Sequence, residues 1–575
     1  MHWSFQPTHP VAAKELARAL NIHPAVCERL LQIDLEFVDP ERAELFLKPR
    51  LAQLEDPFSI THLRAAVERI ERALNERERI LIFGDYDVDG VTSTTLLVHI
   101  LQRFGAQPDY CIPLRLEEGY GLSRQAIERS FESGAKPDLF IALDCGTNSV
   151  DEINYLQSLG IDTLVVDHHQ ATDAERLPGI LVNPHLFDPD GTAWKDLCSV
   201  GLTFKVVHGL IKKLRLDGNA IAENIDLRQV LDLVALGTVA DLVPLRDENR
   251  ILASRGLHAL YHTKRCGIHA LFQVSGIDLS TTDVLRTVDV AFRLGPRINA
   301  SGRLADACVP VDMLLSEDFS FCAETAGDLD QMNRERQAIE RAIAADAILQ
   351  VEERDPQAAG LVAFDASWHS GVVGIVASRL SRQFHRPAIV LGQDGEGAKG
   401  SGRSIEGIDL VAVLEHCDDL LESWGGHPMA VGVSLAAESV PAFRERFAET
   451  ILKLYPDGIP EQEIELATRI PADVITEQLI EDIEELHPFG QGNPEPTFAV
   501  GPLTLQMPPK VFGKGHLRFA FHNSQDERVS CVAWNLSDNP PPVHRPILLA
   551  AQLGWNFWNG ERTIQATVRD WCFAS

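Results

Sequence analysis

Short apolar runs recur along the first half of the chain, and each run ends in polar residues. The runs span residues 80–83, 139–143 and 163–166, and segments of helical length separate them. Apolar runs of this length, bounded by glycine or acidic residues, are typical of strands buried on both faces. The pattern therefore predicts a parallel sheet covered by helices.

The hydrophobic pattern changes further along the chain, which indicates several domains. Residues 1–50 have a helical pattern, and residues 51–316 contain the predicted sheet. Apolar residues recur at helical spacing among charged ones in residues 317–355, which predicts a long amphipathic helix. This helix either connects two lobes or only packs on the first. A second α/β unit follows over residues 356–455, so we expect an α/β multidomain protein.

Residues 456–575 have a β pattern. Apolar residues alternate with polar ones around Phe519, and Asn559-Gly560 is typical of a tight hairpin turn. A small barrel of the OB type fits this pattern, and such barrels hold single-stranded nucleic acid on aromatic and basic faces. The candidate contacts to a single strand are Trp555, Trp558, Lys510, Lys514 and Arg518. For each of the two tryptophans, packing in the core is an equally good interpretation.

Composition places the chain among ordinary globular proteins. Of its 575 residues, 23% are charged and 45% are hydrophobic. The N-terminus lacks the pattern of a signal peptide, and no apolar stretch is long enough to span a membrane. The ten cysteines are scattered singly without a Cys-x-x-Cys pair, which argues against structural zinc and disulfides. We therefore expect a cytoplasmic protein.

The net charge of −31 argues against a general nucleic-acid-binding surface. Phosphate binding normally requires a basic surface. If the substrate is a nucleic acid, metal ions and a few arginines must line a local path.

The most informative motif follows the first apolar run. Asp85, Asp87 and Asp89 alternate between two glycines, directly before a segment rich in serine and threonine that predicts a helix start. Carboxylates this close repel one another unless cations neutralise them, and hard divalent metals are suited to that. An EF-hand calcium loop is excluded, because its twelfth position requires Glu and is Leu96 here.

Candidate ligands also follow the other apolar runs. Asp144 follows the second run, and Asp167-His168-His169 follows the third. Asp241 ends residues 236–241, which come after an apolar segment at 230–235. Ligands in parallel sheets bind at the carboxyl ends of the strands. Asp144 alone would be a helix cap, and adjacent histidines alone are often surface residues. Their coincidence at one predicted sheet edge favours a metal site.

These motifs resemble those of the DHH phosphoesterase superfamily. The resemblance rests on residues 84–90, 144–146, 167–169 and 237–241, in order. Residues 400–404 and 425–432 resemble the associated DHHA1 domain, while residues 294–303 and 487–496 resemble the RecJ family of single-strand-specific 5′→3′ DNA exonucleases. Ser301 departs from the family pattern, which has Ala there. The resemblance implies a DHH lobe, a connecting helix, a DHHA1 lobe and a C-terminal OB barrel.

The resemblance also implies two-metal hydrolysis of phosphodiester bonds, with water as the nucleophile. It implies two Mn²⁺ or Mg²⁺ ions, one bridging carboxylate at Asp144, and His169 facing the scissile phosphate. Asp167 would orient the histidines. The implied metal ligands are Asp85, Asp87, Asp89, Asp144, His168 and Asp241.

Substrate contacts are implied on both lobes. Four residues resemble contacts to the substrate phosphates: Arg115, Arg297, Asn299 and Arg303. Ser401, Arg403 and His427 would hold a terminal 5′ phosphate, which makes the enzyme an exonuclease. The 5′→3′ polarity and a role in DNA repair and recombination come from the resemblance alone.

Two alternatives share part of this pattern. Other DHH enzymes cleave very short oligonucleotides, cyclic dinucleotides or pyrophosphate, but they do not usually carry a β-rich region such as residues 456–575. A non-catalytic single-strand-binding scaffold would have lost acidic positions that are intact here. We expect single-stranded DNA as the substrate, a monomer, and single-strand-binding protein and a helicase as partners.

Overall fold

The computed structural model describes residues 2–114, 118, 121–132, 136–171, 177–304, 308–395, 397–558 and 561–574, with only the backbone at 132, 303, 304 and 558. Its strands are β1 (His2–Phe5), β2 (Ile80–Gly84), β3 (Asp109–Cys111), β4 (Leu139–Leu143), β5 (Asp162–Val166), β6 (Ile180–Val182), β7 (Leu361–Phe364), β8 (Ala388–Asp394), β9 (Gly397–Arg403), β10 (Ser423–His427), β11 (Ala430–Ala436), β12 (Glu463–Leu466), β13 (Arg469–Ile470), β14 (Phe498–Thr504), β15 (Lys510–Phe512), β16 (His516–His522), β17 (Arg528–Ala533), β18 (Pro546–Trp558) and β19 (Glu561–Phe573).

The helical part of the chain includes a π-helical turn, Val290–Leu294. The α-helices are α1 (Pro10–Leu20), α2 (Pro24–Ile33), α3 (Pro40–Leu47), α4 (Leu63–Glu76), α5 (Val88–Arg103), α6 (Arg124–Glu132), α7 (Val150–Ser158), α8 (Pro184–Phe187), α9 (Ser199–Leu216), α10 (Ala220–Asn224), α11 (Leu231–Ala240), α12 (Asp247–Tyr261), α13 (Cys266–Ser275), α14 (Thr287–Asp289), α15 (Gly295–Leu304), α16 (Cys308–Leu315), α17 (Phe319–Arg354), α18 (Val373–Phe384), α19 (Leu410–Glu415), α20 (Val440–Leu454) and α21 (Glu477–Glu484).

The chain divides into two compact units. The larger unit comprises residues 3–329 and 464–575, and the smaller comprises residues 330–463 with residues 1–2. The long helix α17 begins in the larger unit and ends in the smaller one. Its apolar residues recur at helical spacing, as the sequence predicts.

The larger unit contains a five-stranded parallel sheet with the order β3-β2-β4-β5-β6. Side chains of successive strand residues point to opposite faces. Ile80 and Ile82 accordingly enter one hydrophobic core, whereas Leu81 and Phe83 enter another on the opposite face. Two buried faces explain why these strands are apolar without alternation.

The strand register places the ends of β2, β4 and β5, and the motifs that follow them, side by side. Gly84 pairs with Leu143, and Leu143 pairs with Val166. Asp85, Asp144 and the Asp167 motif therefore leave the sheet side by side, at the carboxyl ends of three neighbouring strands.

The two ends of the chain share one core in the larger unit. Side chains of α1–α3, such as Leu16 and Leu30, pack with Ile475, Phe498 and other residues of the C-terminal region. That region is built on a seven-stranded sheet with the order β13-β14-β18-β19-β17-β16-β15. In this sheet β18 pairs with β19 in the antiparallel direction, and Asn559-Gly560, where the sequence predicts a tight turn, lies outside the described residues.

The smaller unit has its own sheet, with the order β10-β11-β9-β8-β7. Only β7 and β8 run parallel, and the other neighbours are antiparallel. The glycine motifs at 400–404 and 425–432 lie largely in these strands.

The predicted α/β architecture with a long helix and a β-rich C-terminal region is confirmed. Two local details differ from the sequence pattern. Helix α5 begins at Val88, inside the aspartate motif, because Asp87 caps it. The apolar segment before Asp241 is the buried helix α11. None of the helices in the described part of the chain is long and apolar enough to cross a membrane.

Candidate metal centre

The aspartate motif folds into a tight turn from β2 into α5. Asp87 is the N-cap of α5, and its Oδ1 accepts hydrogen bonds from the backbone N–H of Asp89 at 2.9 Å and Gly90 at 3.2 Å. A Cβ at Gly90 would lie 2.3 Å from the backbone oxygen of Asp85, so only glycine fits there. The turn therefore holds all three aspartates close to the strand end.

Asp89 is held by a second helix. Its carboxylate is fully buried, and it accepts hydrogen bonds from the backbone N–H of Ser199 and Val200, each at 2.7 Å. These two N–H groups belong to the first turn of α9, where the helix dipole favours an anion. Asp89 thus has a fixed position and orientation.

Asp144 leaves β4 in a left-handed backbone conformation, with φ of 62°. Only 2% of Asp144 is exposed, and its Oδ1 lies 3.6 Å from Nε2 of His168. Both atoms are buried and have no hydrogen-bond partner among the described residues. A buried carboxylate oxygen and a buried imidazole nitrogen without partners are unfavourable unless a ligand binds them.

Asp167 organises the two histidines. Its Oδ1 accepts hydrogen bonds from the backbone N–H of His168 at 2.8 Å and from the His169 imidazole Nδ1 at 2.7 Å, and its Oδ2 accepts from the Thr147 N–H at 3.1 Å. His168 points into the carboxylate cluster, while the side chain of His169 is 55% exposed. The two imidazoles therefore face different surroundings.

Asp241 reaches the cluster from the C-terminal end of α11. Its Oδ2 lies 3.5 Å from Nε2 of His168, which is also 3.9 Å from Oδ2 of Asp89. Gly237 allows α11 to pack closely against α5, since a Cβ there would lie 3.0 Å from Oδ1 of Asp89 and 2.5 Å from Oγ1 of Thr92.

The cluster contains three groups whose possible ligand atoms lie within 4.8 Å of one another. His168 and Asp144 each belong to two groups, so the groups overlap. The groups are Asp85, Asp87 and Asp144, then Asp89, His168 and Asp241, and finally Asp144, His168 and His169.

Burial makes ionisation of the carboxylates unfavourable. Burial and the charge of Asp87 raise the pKa of Asp89 to about 7, against the lowering effect of the two α9 N–H groups. Burial and the charges of Asp89 and Asp87 raise the pKa of Asp241 to about 9. Burial and four neighbouring aspartates raise the pKa of Asp144 well above its usual range. A divalent cation would remove this penalty.

The two histidines have opposite pKa shifts. Burial, with the neighbouring His169, lowers the pKa of His168 to about 4, so this imidazole is neutral and able to bind a metal. The hydrogen bond to Asp167 raises the pKa of His169 to about 9, although burial opposes the shift. Burial is the largest single effect and would raise the pKa of Asp167, but the hydrogen bond to His169, the charges of both histidines and the hydrogen bond from Thr147 together lower it.

The donor set fits hard divalent ions. Carboxylate oxygens dominate, with one neutral imidazole, and no thiolate is in the three groups. Such a set suits Mn²⁺ or Mg²⁺ better than structural zinc. An ion would satisfy Oδ1 of Asp144 and Nε2 of His168, which are buried and lack a hydrogen-bond partner within the described segments.

Helix α15 carries Arg297 and Asn299. Arg297 donates hydrogen bonds to the carbonyls of Val274, at 3.2 Å, and Arg293. Oδ1 of Asn299 is buried without a partner in the described part of the chain. α15 packs on the aspartate motif, because a Cβ at Gly302 would lie 2.7 Å from the Tyr86 ring. Arg115 and the side chain of Arg303 lie outside the described residues.

Ser401, Arg403 and His427 lie together in the smaller unit. Ala430 pairs with both Arg403 and His427 in the sheet. Ser401 and Arg403 lie beside the first turn of α18, since a Cβ at Gly374 would be 3.3 Å from Ser401 Oγ and 3.5 Å from Arg403 Nη2. A hydroxyl and a guanidinium beside a helix N-terminus form a surface suited to a phosphate.

The C-terminal sheet carries an aromatic cluster that the sequence pattern did not reveal. Trp534 is 55% exposed, and its ring centroid lies 4.8 Å from that of His516 and 5.8 Å from that of Phe512. The guanidinium of Arg518 lies 5.9 Å from the Phe512 ring centroid, and Lys510 pairs with Arg518 across the strands. The alternation of apolar and polar residues around Phe519 indicates an exposed strand face, but it does not indicate which rings meet there.

The two tryptophans that the sequence predicts as strand contacts, Trp555 and Trp558, do not belong to this aromatic cluster. Trp555 packs partly against the core, and the guanidinium of Arg562 lies 4.4 Å from its ring centroid. The side chain of Trp558 lies outside the described residues, and Lys514 is exposed in the turn between β15 and β16.

Three family models match the chain. The N-terminal domain of the DHH family matches residues 79–238, the DHHA1 domain matches residues 357–453, and the RecJ OB domain matches residues 467–570. These segments contain the parallel sheet, the sheet of the smaller unit and the C-terminal sheet.

Curated relatives and a solved structure cover most of the chain. The Bacillus subtilis single-stranded-DNA-specific exonuclease RecJ is 38% identical over 99% of this chain and 70% of its own length. The Escherichia coli protein of the same name is 35% identical over 88% of this chain and 90% of its own. RecJ from Thermus thermophilus in complex with Mn²⁺ matches with a TM-score of 0.83 and 29% identity, over 100% of this chain and 80% of that chain. A Mg²⁺ complex of the same protein gives a TM-score of 0.77, with 28% identity and coverage of 100% and 79%. These matches confirm the resemblance, and the chain belongs to the RecJ family.

Proposed function

We propose that the chain is a metal-dependent exonuclease that hydrolyses single-stranded DNA from its 5′ end. Its relatives are named single-stranded-DNA-specific exonucleases, and the related Thermus structures contain Mn²⁺ or Mg²⁺. The observation that carries the proposal is the buried pair formed by Asp144 Oδ1 and His168 Nε2, 3.6 Å apart and without hydrogen-bond partners in the described chain.

Two of the three groups would hold the two ions. Asp85 and Asp87 would bind one ion, and Asp144 would bridge to the other. Asp89, His168 and Asp241 would bind that second ion, which their mutual distances support. When bound, two such ions supply charge neutralisation of the phosphate and activation of the attacking water.

His169 would contact the scissile phosphate. Its side chain is 55% exposed beside the cluster, and Asp167 favours its cationic form through the 2.7 Å hydrogen bond to Nδ1. Nε2 then carries a proton that it can donate to a phosphate oxygen. Asp167 holds the ring in this orientation and keeps the charge on it.

Several residues would bind the strand beyond the scissile bond. Arg297 and Asn299 lie on a helix that packs against the aspartate motif, which supports a role in holding neighbouring phosphates. Arg115 and Arg303 complete this group of proposed contacts. Ser401, Arg403 and His427 would hold the terminal 5′ phosphate and so restrict cleavage to strand ends.

The exposed face of the C-terminal sheet would hold the rest of the strand. Stacked bases need aromatic rings, and phosphates need cations. Trp534, Phe512 and His516 provide the rings, while Lys510 and Arg518 provide positive charge on the same strands. A local basic surface of this kind would reconcile a net charge of −31 with a DNA substrate.

The wider assignments are also proposals. We place the protein in the cytoplasm as a monomer, where single-strand-binding protein and a helicase would supply its substrate during DNA repair and recombination. The proposed domain boundaries are 1–50, 51–316, 317–355, 356–455 and 456–575, and the three family-model segments fall inside the second, fourth and fifth of these.

The function is tested by comparing substrates in Mn²⁺. A long 5′-phosphorylated single strand should be degraded from the 5′ end, whereas duplex DNA, a dinucleotide and pyrophosphate should be poor substrates. The Asp144→Asn variant should bind the long strand but not cleave it. Preferred cleavage of the dinucleotide would favour a phosphodiesterase for short substrates, and binding without cleavage by the unaltered protein would favour a scaffold.

A further inference from the structure

We propose that residues 484–493, here called the clamp segment, position Asp241 in the metal centre. The segment belongs to the C-terminal part of the larger unit and packs on the chain that follows Asp241. Nothing in the proposed chemistry uses it directly, so its residues act through Asp241 as positioning residues. The inference rests on the proposed metal centre.

A buried arginine fastens the clamp segment to α12. Arg250 is 2% exposed, and its guanidinium donates hydrogen bonds to the carbonyls of Leu486 at 3.1 Å and His487 at 2.9 Å. Its Nε donates to the carbonyl of Phe46 at 2.8 Å, and the Phe46 ring centroid lies 3.6 Å from the guanidinium. Burial lowers the pKa of Arg250 to about 9. A buried cation whose hydrogen bonds go to carbonyl groups is costly to separate from them.

Further contacts hold the chain between Asp241 and α12. The backbone N–H of Leu245 donates to the carbonyl of Gln491 at 2.7 Å, and Nε of Arg246 donates to the carbonyl of Gly492 at 2.9 Å. The packing is close, because a Cβ at Gly490 would lie 2.7 Å from Cδ1 of Leu245. Leu245 is itself 3% exposed and has little room to move.

The residue next to Asp241 is in an uncommon conformation. Leu242 has φ of 63°, a left-handed value that is unfavourable for leucine, and its side chain is 67% exposed. Local packing of the Leu242 side chain therefore does not explain this turn. The contacts of Leu245 and Arg246 with the clamp segment fix the chain just after the Leu242 turn. They therefore maintain the turn and, with it, the position of Asp241.

The clamp segment is rigid in itself and is anchored at a second point. Asn493 is 1% exposed, and its Nδ2 donates to the carbonyls of Leu486 at 3.0 Å and Pro488 at 2.9 Å, which closes the segment into a loop. Oγ1 of Thr287 donates to the carbonyl of Phe489 at 2.6 Å. A rigid, doubly anchored loop can transmit a fixed position to the residues that it contacts.

This arrangement predicts an effect on only one ion. Asp241 belongs to the group with Asp89 and His168, whereas the group of Asp85, Asp87 and Asp144 does not include it. Loss of a residue that supports a metal ligand typically weakens metal binding roughly 10- to 100-fold. Disturbing the clamp segment should therefore weaken one of two Mn²⁺ binding steps and leave the other unchanged.

The test uses Gly490→Val in the full chain, with Mn²⁺ binding measured by isothermal titration calorimetry. The added side chain must displace Leu245. Gly554→Val is the matched control, because a Cβ at Gly554 meets no atom within 4 Å and the residue lies in β18 of the same unit. We expect one step to weaken at least about tenfold in Gly490→Val and neither step to change in the control.

Arg250→Lys provides a second variant that keeps the charge but loses the planar fork. Its control is Arg215→Lys, since Arg215 also donates to two carbonyls, of Ala222 and Ile225, in the same unit. Arg250→Lys decides the matter if Gly490→Val does not fold. Folded clamp variants that bind both ions normally, or that lose both steps equally, would overturn the inference. Unaltered protein that binds fewer than two ions would instead contradict the proposed metal centre.

Discussion

Replacing the carboxylate of Asp144 should stabilise the metal-free protein and abolish catalysis. Asp144→Asn keeps the size and shape of the side chain, and asparagine tolerates the left-handed φ of 62° at this position. The change removes a carboxylate whose pKa is raised by burial and by Asp89, Asp87, Asp85 and Asp241. It therefore removes an unfavourable group that is needed only when metal is bound.

The magnitude follows from proton linkage. A carboxyl group whose pKa is raised in the folded state stabilises the fold below its unfolded pKa of 3.8, and this contribution is lost as the pH rises towards the folded pKa. Each pH unit above 3.8 is worth about 1.4 kcal/mol while the folded group keeps its proton. At pH 7 the variant should gain up to about 4 kcal/mol in free energy of unfolding, and at pH 5 the gain should be under about 2 kcal/mol.

Urea denaturation of both proteins in EDTA at pH 5 and pH 7 measures this difference, and exonuclease assays in Mn²⁺ measure activity. Added Mn²⁺ should raise the denaturation midpoint of the unaltered protein more than that of the variant. A metal-free variant that is less stable than the unaltered protein at pH 7, or a difference that does not shrink at pH 5, would refute the assignment of Asp144 as a buried, repelled carboxylate.

Three other predictions concern separate parts of the site. Mn²⁺ affinity should rise between pH 7 and pH 9, because Asp241, with a pKa of about 9, must lose its proton before it binds. Calorimetry in buffers of different ionisation enthalpy should show proton release that is smaller in Asp241→Asn, and an unchanged release would count against this role of Asp241. Trp534→Ala should weaken binding of a long single strand by about 1–3 kcal/mol but leave cleavage of a very short oligonucleotide nearly unchanged, and equal losses for both would exclude the ring from the strand path. Arg403→Ala should reduce the preference for 5′-phosphorylated over 5′-hydroxyl strands without changing Mn²⁺ affinity, and an unchanged preference would count against the end pocket.

The metal motifs could be found in the sequence because each one depends only on neighbouring residues: an apolar strand and the polar residues that follow it. Strands buried on both faces are apolar throughout, and the carboxyl ends of parallel strands meet at one edge. Asp85, Asp144 and Asp167 follow such strands directly. The helix before Asp241 was harder, because a fully buried helix has an apolar run that periodicity cannot distinguish from a strand.

Long-range pairing explains what the sequence did not reveal. Phe512, His516 and Trp534 form one cluster only because β16 pairs with both β15 and β17. The motif at 487–496 is visible in the sequence, but its partner Arg250 is 236–238 positions away from the carbonyls that it binds. The shared core of helices α1–α3 and the C-terminal sheet likewise joins the two ends of the chain. The residues themselves give no local signal of these pairings.

The central claim is that the strand-end cluster holds two divalent ions. Anomalous diffraction from Mn²⁺-soaked crystals tests it most directly. We predict two peaks that share Asp144, one coordinated by Asp85 and Asp87 and the other by Asp89, His168 and Asp241. Peaks outside this cluster, or a fully soaked crystal without a peak beside Asp144, would contradict the claim.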